Sequence, residues 1–329
     1  RWNMGKTNTI IDVEGIQVGH AQHTSGLSGC TVILFEHPAI AGVDQRGGAP
    51  GTRETDLLRP MHMVNYIDAI LLTGGSAYGL DAAGGVMRYL EEKARGFPIE
   101  NGVVPIVPAA VILDLGVTTP PARPDAAMGY NACLNAGHFC EVGNVGAGAG
   151  ATVGKLLGLE HAMKSGIGTA SMEIVPGLYI GALMVVNALG DIFDPANGQQ
   201  IAGLRSPETG QPISTLDFMQ GLAREEFARH VQGNSTVGAN TIIGVIATNA
   251  KLTKEEVNKL AQMAQDGIAM TVRPAHTMFD GDTIFGISTR MVPADFNLVG
   301  AYAAQVVAEA ILNAVRSAHT FGDLPGLAG

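Results

Sequence analysis

Short apolar runs bounded by glycine recur along the chain. They are rich in Val, Ile and Leu, and they cover residues 30–35, 68–73, 103–107, 181–188, 241–247 and 283–289. Runs of this length and composition predict buried β-strands. Longer stretches between them have helical spacing, and these are residues 78–94, 215–231, 253–270 and 296–319.

The stretch 253–270 carries the clearest helix signals. Thr253 and Glu256 have the spacing of a capping box, in which each side chain bonds the main-chain N–H of the other residue. An apolar stripe follows at helical spacing, and it consists of Val257, Leu260, Ala261, Ala264 and Ile268. The final stretch differs, because residues 301–315 are apolar on most sides. Such a helix is buried in a core or in a subunit contact, which favours a homo-oligomer, and we expect a tetramer.

Length and composition favour one large α/β domain. The chain has 329 residues, of which 46% are apolar and 44 are glycine. Glycine suits closely packed backbone, and a broad α/β core can hold a chain of this length. The stretch 204–238 is the exception, since it is polar, contains Pro207 and Pro212 and precedes the abrupt apolar run at Thr241. This change in composition predicts a processing loop that leads into a strand.

Charge and cysteine content narrow the functional classes. The chain has 30 acidic and 20 basic side chains, and its net charge of −10 is opposite to the field that attracts nucleic acid. Cys30, Cys133 and Cys140 are odd in number and lack metal-ligand spacing, which indicates reduced thiols and a cytoplasmic protein. The sequence has no leader pattern and no apolar run of 18 residues, so we expect neither export nor a membrane span.

The glycine-rich run from Gly146 to Lys155 is similar to a phosphate loop at first sight. The Walker pattern needs glycine at 149 and Ser or Thr at 156, however, and the chain has Ala149 and Leu156. A looser dinucleotide pattern, Gly-x-Gly-x-x-Ala, ends at Ala151, but this pattern is weak without a strand, a helix and an acidic residue in register. We favour a close backbone approach between packed layers, with Lys155 in solvent and neither cofactor nor metal bound.

Two places in the chain put reactive groups beside predicted strands. Thr241 follows Asn240 and opens an apolar run, which places a hydroxyl at the start of a strand, although threonine is also common in ordinary strands. Asp280 and Asp282 flank Gly281 just before the run at 283, so two carboxylates meet at the rim of the sheet. Such a pair orients a hydroxyl or an ammonium and can share one proton. A solvated Asp-Gly turn is the alternative interpretation.

Five ordered motifs resemble the self-processing aminopeptidase family. They are Val43-Asp44-Gln45-Arg46-Gly47-Gly48, Leu72-Thr73-Gly74-Gly75-Ser76-Ala77-Tyr78-Gly79-Leu80, the run from Gly146 to Lys155, Asn240-Thr241 and Asp280-Gly281-Asp282-Thr283. The family includes L-aminopeptidase/D-esterases, β-aminopeptidases and the hydrolases of nylon (6-aminohexanoate) oligomers. The likeness runs from Ile11 to the final helix, which is nearly the whole chain.

The resemblance implies both a fold and a maturation step. The fold is a four-layer αββα sandwich of the N-terminal-nucleophile type. A precursor of this kind is cut once, here between Asn240 and Thr241, into a large subunit of residues 1–240 and a small subunit of residues 241–329. The two subunits stay together, and Thr241 becomes both the new N-terminus and the nucleophile.

The same resemblance implies the other site residues. Lys155 and Asn187 match polar positions that line the cleft of the family, and Asp280 and Asp282 match its acidic pair. Asn187 follows an apolar strand, where its amide is able to donate to an oxyanion, and a plain strand-end residue is the alternative. His276 lies near the acidic pair in the sequence and is interpreted as a bystander.

Details of the motifs bear on the substrate. Thr241 and the Asp-Gly-Asp motif resemble the nylon-oligomer hydrolases, whereas the aminopeptidase branch uses serine as the nucleophile and has a Ser and a Glu at the two positions of the acidic pair. The nylon branch carries a tyrosine where this chain has Leu113, so the phenol is missing here. We expect hydrolysis of 6-aminohexanoate oligomers or small peptide amides through an acyl-enzyme. A β- or D-aminopeptidase/esterase and an ornithine-acetyltransferase-like transferase are the alternatives, and a non-catalytic assembly protein would leave the chain uncut.

Overall fold

The computed structural model describes residues 3–24, 27–229 and 240–329. Its α-helices in this part of the chain are α1 (Ala82–Glu91), α2 (Ala126–Leu134), α3 (Thr215–Arg229), α4 (Lys254–Thr271), α5 (Phe296–Gly300) and α6 (Ala303–Arg316). Its strands are β1 (Ile16–Gln22), β2 (Gly29–Gln45), β3 (Thr52–Arg53), β4 (Tyr66–Thr73), β5 (Phe97–Ile99), β6 (Gly102–Val104), β7 (Ala109–Val111), β8 (Thr152–Val153), β9 (Met163–Lys164), β10 (Ile167–Val175), β11 (Leu178–Asn187), β12 (Asp191–Phe193), β13 (Gln200–Ala202), β14 (Thr241–Ala250), β15 (Val272–Arg273) and β16 (Thr283–Val292).

One large mixed sheet organises the molecule. Its strand order is β10-β11-β14-β16-β2-β4-β7-β3, and β1 pairs with β2 beside this path. The central pair β14 and β16 is parallel, whereas β11 and β2 run antiparallel to their neighbours in this pair. Because parallel strands begin at the same edge of a sheet, the first residues of β14 and β16 lie side by side. That edge carries the candidate site.

The sheet turns back on itself through the long strand β2. The second half of β2 pairs with β16, and its first half pairs with β1 and β4. The register shifts between Leu34 and Ala39, where residues 36–38 are exposed. The two halves of the sheet therefore face each other as separate layers.

Three apolar cores separate four layers. Alternate side chains of the central strands, such as Val185, Val245 and Phe285, share the inner core with Ile33 and Ile70 of the other half-sheet. The outer face of the first half-sheet packs on α4 and α6, and the outer face of the second packs on α1 and α2. This alternation is the period of two expected of strands that are buried on both faces. The predicted αββα sandwich is confirmed.

Within the described residues the predicted elements agree with the structure except in three places, and the last two residues of the predicted helix 215–231 lie outside the described part. The stretch 103–107 was expected to be a buried strand and is not, because β6 lies in a partly exposed hairpin with β5 and the sheet strand is β7. The first helix opens with a 3-10 turn, Ser76–Asp81, before α1. The last one is interrupted after Gly300, which divides it into α5 and α6. The capping box of Thr253 and Glu256 at α4 is confirmed.

The stretch Phe296–Arg316 is long and apolar enough to cross a membrane by length and composition. Its inward residues, among them Val306, Ala310 and Ile311, are fully buried in the core that lies under α4. It is therefore placed as a core helix of a folded domain.

The three cysteines are buried and free, and burial raises the pKa of the Cys133 and Cys140 thiols to about 12.

Candidate active site

The starts of β14 and β16 bring the sequence motifs together. Thr241 is the first residue of β14, and its partner across the antiparallel pair is Asn187, the last residue of β11. On the other side, Asn240 pairs with Asp280 just before β16 begins. The structure therefore places Thr241 between the Asn187 strand and the acidic motif, although these segments are far apart in the sequence.

The hydroxyl of Thr241 points back at the peptide bond that precedes it. Its side chain is 7% exposed, and Oγ1 donates a hydrogen bond to the carbonyl oxygen of Asn240. The main-chain N–H of Gly281 donates to the same oxygen at 3.1 Å. A Cβ at Gly281 would lie 3.0 Å from Thr241 Oγ1, so glycine is what permits this close approach.

Asp280 and Asp282 are buried, which contradicts the alternative of a solvated turn. They are 3% and 2% exposed. Asp282 Oδ1 accepts the main-chain N–H of Ile242 at 2.8 Å, and Asp280 Oδ2 accepts that of Thr277 at 2.7 Å. Burial raises the pKa of Asp280, and the neighbouring charge of Asp282 raises it further. Asp282 thus fixes the backbone of the residue that follows Thr241, and Asp280 fixes the turn that begins at Thr277.

Lys155 is directed at Asn187. Its Nζ donates to the main-chain oxygen of Asn187 at 2.9 Å and to Oδ1 at 2.8 Å. The N–H of Thr152 also donates to Oδ1, at 3.1 Å. Two donors on Oδ1 fix the orientation of the amide, so Nδ2 faces the other way and donates to the carbonyl of Leu113 at 3.2 Å. An amide nitrogen has two hydrogens, which leaves Asn187 one further donor.

Burial lowers the pKa of Lys155 to about 7, although the charges of Asp280 and Asp114 oppose this shift. The amine is thus divided between its neutral and charged forms near neutral pH. The expectation that Lys155 is merely solvated is wrong. The glycines before it do allow close packing, since a Cβ at Gly148 would lie 2.4 Å from the nitrogen of Ile167.

The segment from Arg46 to Ala49 holds the backbone of the two acidic residues with hydrogen bonds. The N–H of Arg46 donates to the carbonyl oxygen of Asp282 at 3.0 Å, and that of Ala49 donates to the carbonyl oxygen of Asp280 at 2.8 Å. A Cβ at Gly47 would lie only 2.2 Å from the oxygen of Asp280. This contact explains why a side chain is excluded at position 47.

A cleft of about 380 Å³ opens over Thr241. Most of its wall is apolar, and the lining residues are Ala49, Pro50, Gly51, Ser76, Ala77, Val111, Leu113, Asn240, Thr241, Met278 and Phe279. A second cavity of about 270 Å³ holds Lys155, Thr152 and Asp114, and it shares Leu113 with the cleft. Leu113 thus forms a wall common to both spaces.

The model of peptidase family S58 matches residues 8–326 of the chain. The chain belongs to peptidase family S58. It is therefore a hydrolase of the aminopeptidase and amidase type that acts on amide bonds.

Relatives of this S58 chain span its whole length. It is 43% identical to an uncharacterized aminopeptidase of Mycobacterium bovis over 97% of the chain and 96% of the relative. It is 31% identical to the 6-aminohexanoate-oligomer endohydrolase of Kocuria sp., over 95% of the chain and 87% of the relative. The family predicted from the motifs is confirmed.

Solved structures place the S58 chain in the Ntn-hydrolase fold. The L-aminopeptidase D-Ala-esterase/amidase of Ochrobactrum anthropi, described as a variant of that fold, superposes with a TM-score of 0.70 at 22% identity, covering 98% of this chain and 89% of the other. A β-aminopeptidase of Burkholderia sp. gives 0.69 at 22% identity, covering 98% and 90%. The N-terminal-nucleophile architecture is thereby confirmed.

The sequence interpretation missed two residues of this S58 site. Asp114 is 4% exposed, accepts the N–H of Gly75 at 2.7 Å and lies next to Leu113. An aspartate that ends the apolar run 109–113 was a signal for it. His276 was interpreted as a bystander, yet its Nδ1 lies 2.9 Å from Asp282 Oδ2. The predicted processing loop is described only to residue 229, and its remainder to 238 lies outside the described residues.

Proposed function

We propose that this chain cuts itself between Asn240 and Thr241 and that the freed Thr241 then hydrolyses amides through an acyl-enzyme. The observation that carries the proposal is the carbonyl of Asn240. Its oxygen receives both the Thr241 hydroxyl and the N–H of Gly281, which donates at 3.1 Å. The attacking oxygen and a donor for the developing negative charge are thus already at the bond to be cut.

Self-cleavage proceeds as an N-to-O acyl shift. Thr241 Oγ1 forms a bond to the carbonyl carbon of Asn240, and its proton moves to the amide nitrogen as the C–N bond breaks. The product is an ester between Asn240 and Thr241 with a free α-amine. Water then attacks the ester, which leaves a carboxylate on Asn240 and restores the Thr241 hydroxyl. The products are a large subunit, 1–240, and a small subunit, 241–329.

The new α-amine supplies the base for turnover. An α-amine has a pKa of roughly 7.7 to 8.0, so a useful fraction is neutral near pH 7 and accepts the proton of the hydroxyl. Thr241 attacks the substrate carbonyl, the amine product leaves with that proton, and water hydrolyses the acyl-enzyme. One residue supplies both the nucleophile and the base.

The surrounding side chains are assigned by their contacts. Asn187, fixed by Lys155 and Thr152, offers an amide hydrogen to the oxyanion of the substrate. Lys155, with its lowered pKa, tunes the protonation of the site. Asp280 and Asp282 orient the α-amine of Thr241 and the backbone that carries it. Neither a cofactor nor a metal is part of this scheme.

The cleft favours a slender aliphatic amide. Its apolar wall suits methylene chains, and its volume of about 380 Å³ is at the lower end of small-molecule sites. We assign 6-aminohexanoate oligomers or small peptide amides as the substrate class, which agrees with the activity of the Kocuria relative. Aminopeptidase or esterase activity on short β- or D-aminoacyl substrates is the second candidate, because a relative at 43% identity is named an aminopeptidase.

Mass spectrometry of the purified protein tests the cut. We expect two pieces of about 25 and 9 kDa, in proportion to their share of 329 residues and 34.1 kDa, with the smaller starting at Thr241. A single full-length chain, or a small piece with another first residue, would contradict the proposal. A homo-oligomeric assembly and a cytoplasmic location remain predictions, which size-exclusion chromatography and fractionation of the source cells address.

A substrate panel tests the chemistry. It contains 6-aminohexanoate oligomers, L-, D- and β-aminoacyl amides, and acetyl-ornithine with an acceptor amine. Amide hydrolysis of the first or second group supports the proposal and separates the two candidates. Acyl transfer from acetyl-ornithine without hydrolysis would instead identify a transferase.

A further inference from the structure

His276 holds Asp282 with two bonds. Its main-chain N–H donates to Asp282 Oδ2 at 3.1 Å, and its ring Nδ1 lies 2.9 Å from the same oxygen. The side chain is 19% exposed, and the backbone has a φ of 58°, which is unusual for a residue other than glycine. A backbone conformation of this kind clusters at functional sites, and here it occurs at a residue that contacts the acidic pair.

The second oxygen of Asp282 reaches the nucleophile strand. Oδ1 accepts the N–H of Ile242 at 2.8 Å, and Ile242 is bonded directly to Thr241. The carboxylate side chain, 3% exposed, therefore joins the His276 loop to the start of β14. Rotation of this carboxylate would break its bond to the backbone next to Thr241.

The acidic neighbour Asp280 adds to the value of a ring donor on Asp282. The charge of Asp282 raises the pKa of Asp280, which shows that the two carboxylates are close enough to repel. Among the described residues, Oδ2 of Asp282 would retain only the main-chain donor of His276 if the ring were removed. In the described part of the chain the other ring nitrogen, Nε2, is buried without a hydrogen-bond partner, so Asp282 is the contact that accounts for the ring.

We infer that His276 is a positioning residue, which acts through Asp282 to fix the Thr241 hydroxyl for attack. This inference rests on the proposed function. It assigns His276 no contact with substrate and no proton transfer. A misplaced nucleophile lowers the rate of the chemical step more than it lowers substrate binding, so the effect belongs in kcat.

Four variants test the inference. His276→Ala removes the ring donor. His276→Asn places an amide N–H near the Nδ1 position and tolerates positive φ, whereas His276→Gln places its amide near Nε2. Glu54→Ala is the matched control for alanine at positive φ, because Glu54 has a φ of 55° and is exposed.

The readouts are the rate of self-cleavage and the kcat and KM of the fully cut protein. We expect His276→Ala and His276→Gln to lower kcat by about tenfold to a hundredfold with KM changed less than about twofold. His276→Asn should recover most of the activity, and Glu54→Ala should match the wild type. If His276→Ala does not fold, the comparison of Asn with Gln decides.

Wild-type kcat in His276→Ala or His276→Gln overturns the inference, as does equal loss in the Asn and Gln variants. Failure of the proposed function gives a different result, because the wild-type protein itself would then be uncut or inactive. If the wild-type protein is cut and active and the His276→Gln protein is unaffected, the proposed function stands and only the positioning role of His276 is wrong.

Discussion

The two ends of strand β14 carry the same residue types and use them differently. Asn240 and Thr241 open the strand, and Thr248 and Asn249 lie near its other end, roughly 23 Å from Thr241 at about 3.3 Å per residue. All four are buried. Burial of a polar pair therefore does not distinguish a site from a structural position.

The partners distinguish the two ends. Thr248 Oγ1 donates to the carbonyl of Tyr179 at 2.7 Å and accepts the N–H of Ala250 at 3.1 Å. Asn249 accepts the N–H of Tyr179 at 2.9 Å and donates to the carbonyl of Gly177 at 2.8 Å. These side chains complete the backbone ladder. At the start of the strand, by contrast, Lys155 donates to the Asn187 side chain, and the carboxylate of Asp282 accepts the N–H of Ile242, beside an open cleft.

Replacement of the two threonines gives the largest expected difference. Thr241→Ala removes the attacking oxygen, so both self-cleavage and amide hydrolysis should be lost while the protein stays folded. Thr248→Ala should be cut and active but less stable by about 1–3 kcal/mol, because it leaves a buried carbonyl unpaired. Intact mass, turnover and urea unfolding measure these outcomes. Self-cleavage of the Thr241→Ala protein between residues 240 and 241 would contradict the assignment of Thr241 as the nucleophile.

Replacement of Asn187 and of Asn249 gives the next largest expected difference between the two ends of β14. Asn187→Ala removes the proposed oxyanion donor and should lower kcat by about 100-fold to 1000-fold. Asn249→Ala should leave kcat close to wild type and lower only the unfolding midpoint, since its bonds are to backbone at the far end. Steady-state kinetics and thermal unfolding separate the two effects. Equal kcat in both variants would contradict the role of Asn187 as the oxyanion donor.

Two lysines form a second matched pair. Lys164 is 1% exposed and donates to the carbonyls of Ala151 and Ser165, each at 2.8 Å. Burial lowers its pKa to about 7, as it does for Lys155. Lys155→Met should lower kcat by at least about tenfold, because its partner is Asn187. Lys164→Met should instead destabilise by about 1–3 kcal/mol through unpaired carbonyls, and a kcat loss equal to that of Lys155→Met would contradict this division.

A smaller effect is expected when Thr241 keeps its oxygen. Thr241→Ser loses the methyl group that restricts the χ1 rotamer, so both reactions should persist at rates within about tenfold of wild type. Thr248→Ser is the control and should change neither rate. Time courses of cleavage and turnover are the measurement. Complete loss in the serine variant would show that the hydroxyl oxygen alone is insufficient.

The last prediction concerns the pH dependence of stability at Lys164. Its pKa is about 7 in the folded protein and 10.5 as the ordinary value, so the unfolded chain binds more protons between these limits. Stability contributed by this group therefore rises with pH from about 7, by up to about 1.4 kcal/mol per pH unit. Lys164→Met should lose this slope. Urea unfolding at pH 7, 8 and 9 measures it, and an unchanged slope would show that Lys164 stays charged.

Local sequence patterns predicted some elements around the candidate site, and the resemblance to a known family predicted which residues come together there. The start of β14 at Thr241, the capping box of α4 and the five motifs were all readable locally. The bend in β2 at residues 36–38 was not, because exposed polar residues ordinarily end a strand, and here tertiary pairing carries it on to Gln45. The hairpin β5–β6 was missed for the opposite reason, since apolar residues at 103 and 104 lie at the surface.

The contacts within the site depend on distances along the chain that no local pattern spans. Lys155 meets Asn187 from 32 residues away, and Asp282 meets Ile242 from 40. Asp114 and Lys164 were missed because charged residues are expected at the surface, whereas both are buried here with hydrogen-bond partners. His276 lies within reach of Asp282 in sequence, but the local pattern predicts neither the positive φ of its backbone nor the contact of its ring with the carboxylate.

The strand order has a consequence for how the protein is made. β14 and β16 come from the last 89 residues, 241–329, yet they stand in the middle of the sheet, with β11 on one side and β2 on the other. A chain severed at Thr241 would therefore have its smaller fragment wedged into the larger one, held by backbone ladders along both flanks. The arrangement at Asn240 that we propose to be reactive depends on those ladders, so under the proposed self-cleavage the protein would be its own zymogen and would mature only once it has folded. Fragments synthesised separately would each carry an incomplete sheet with exposed edges, and they should aggregate before they can assemble.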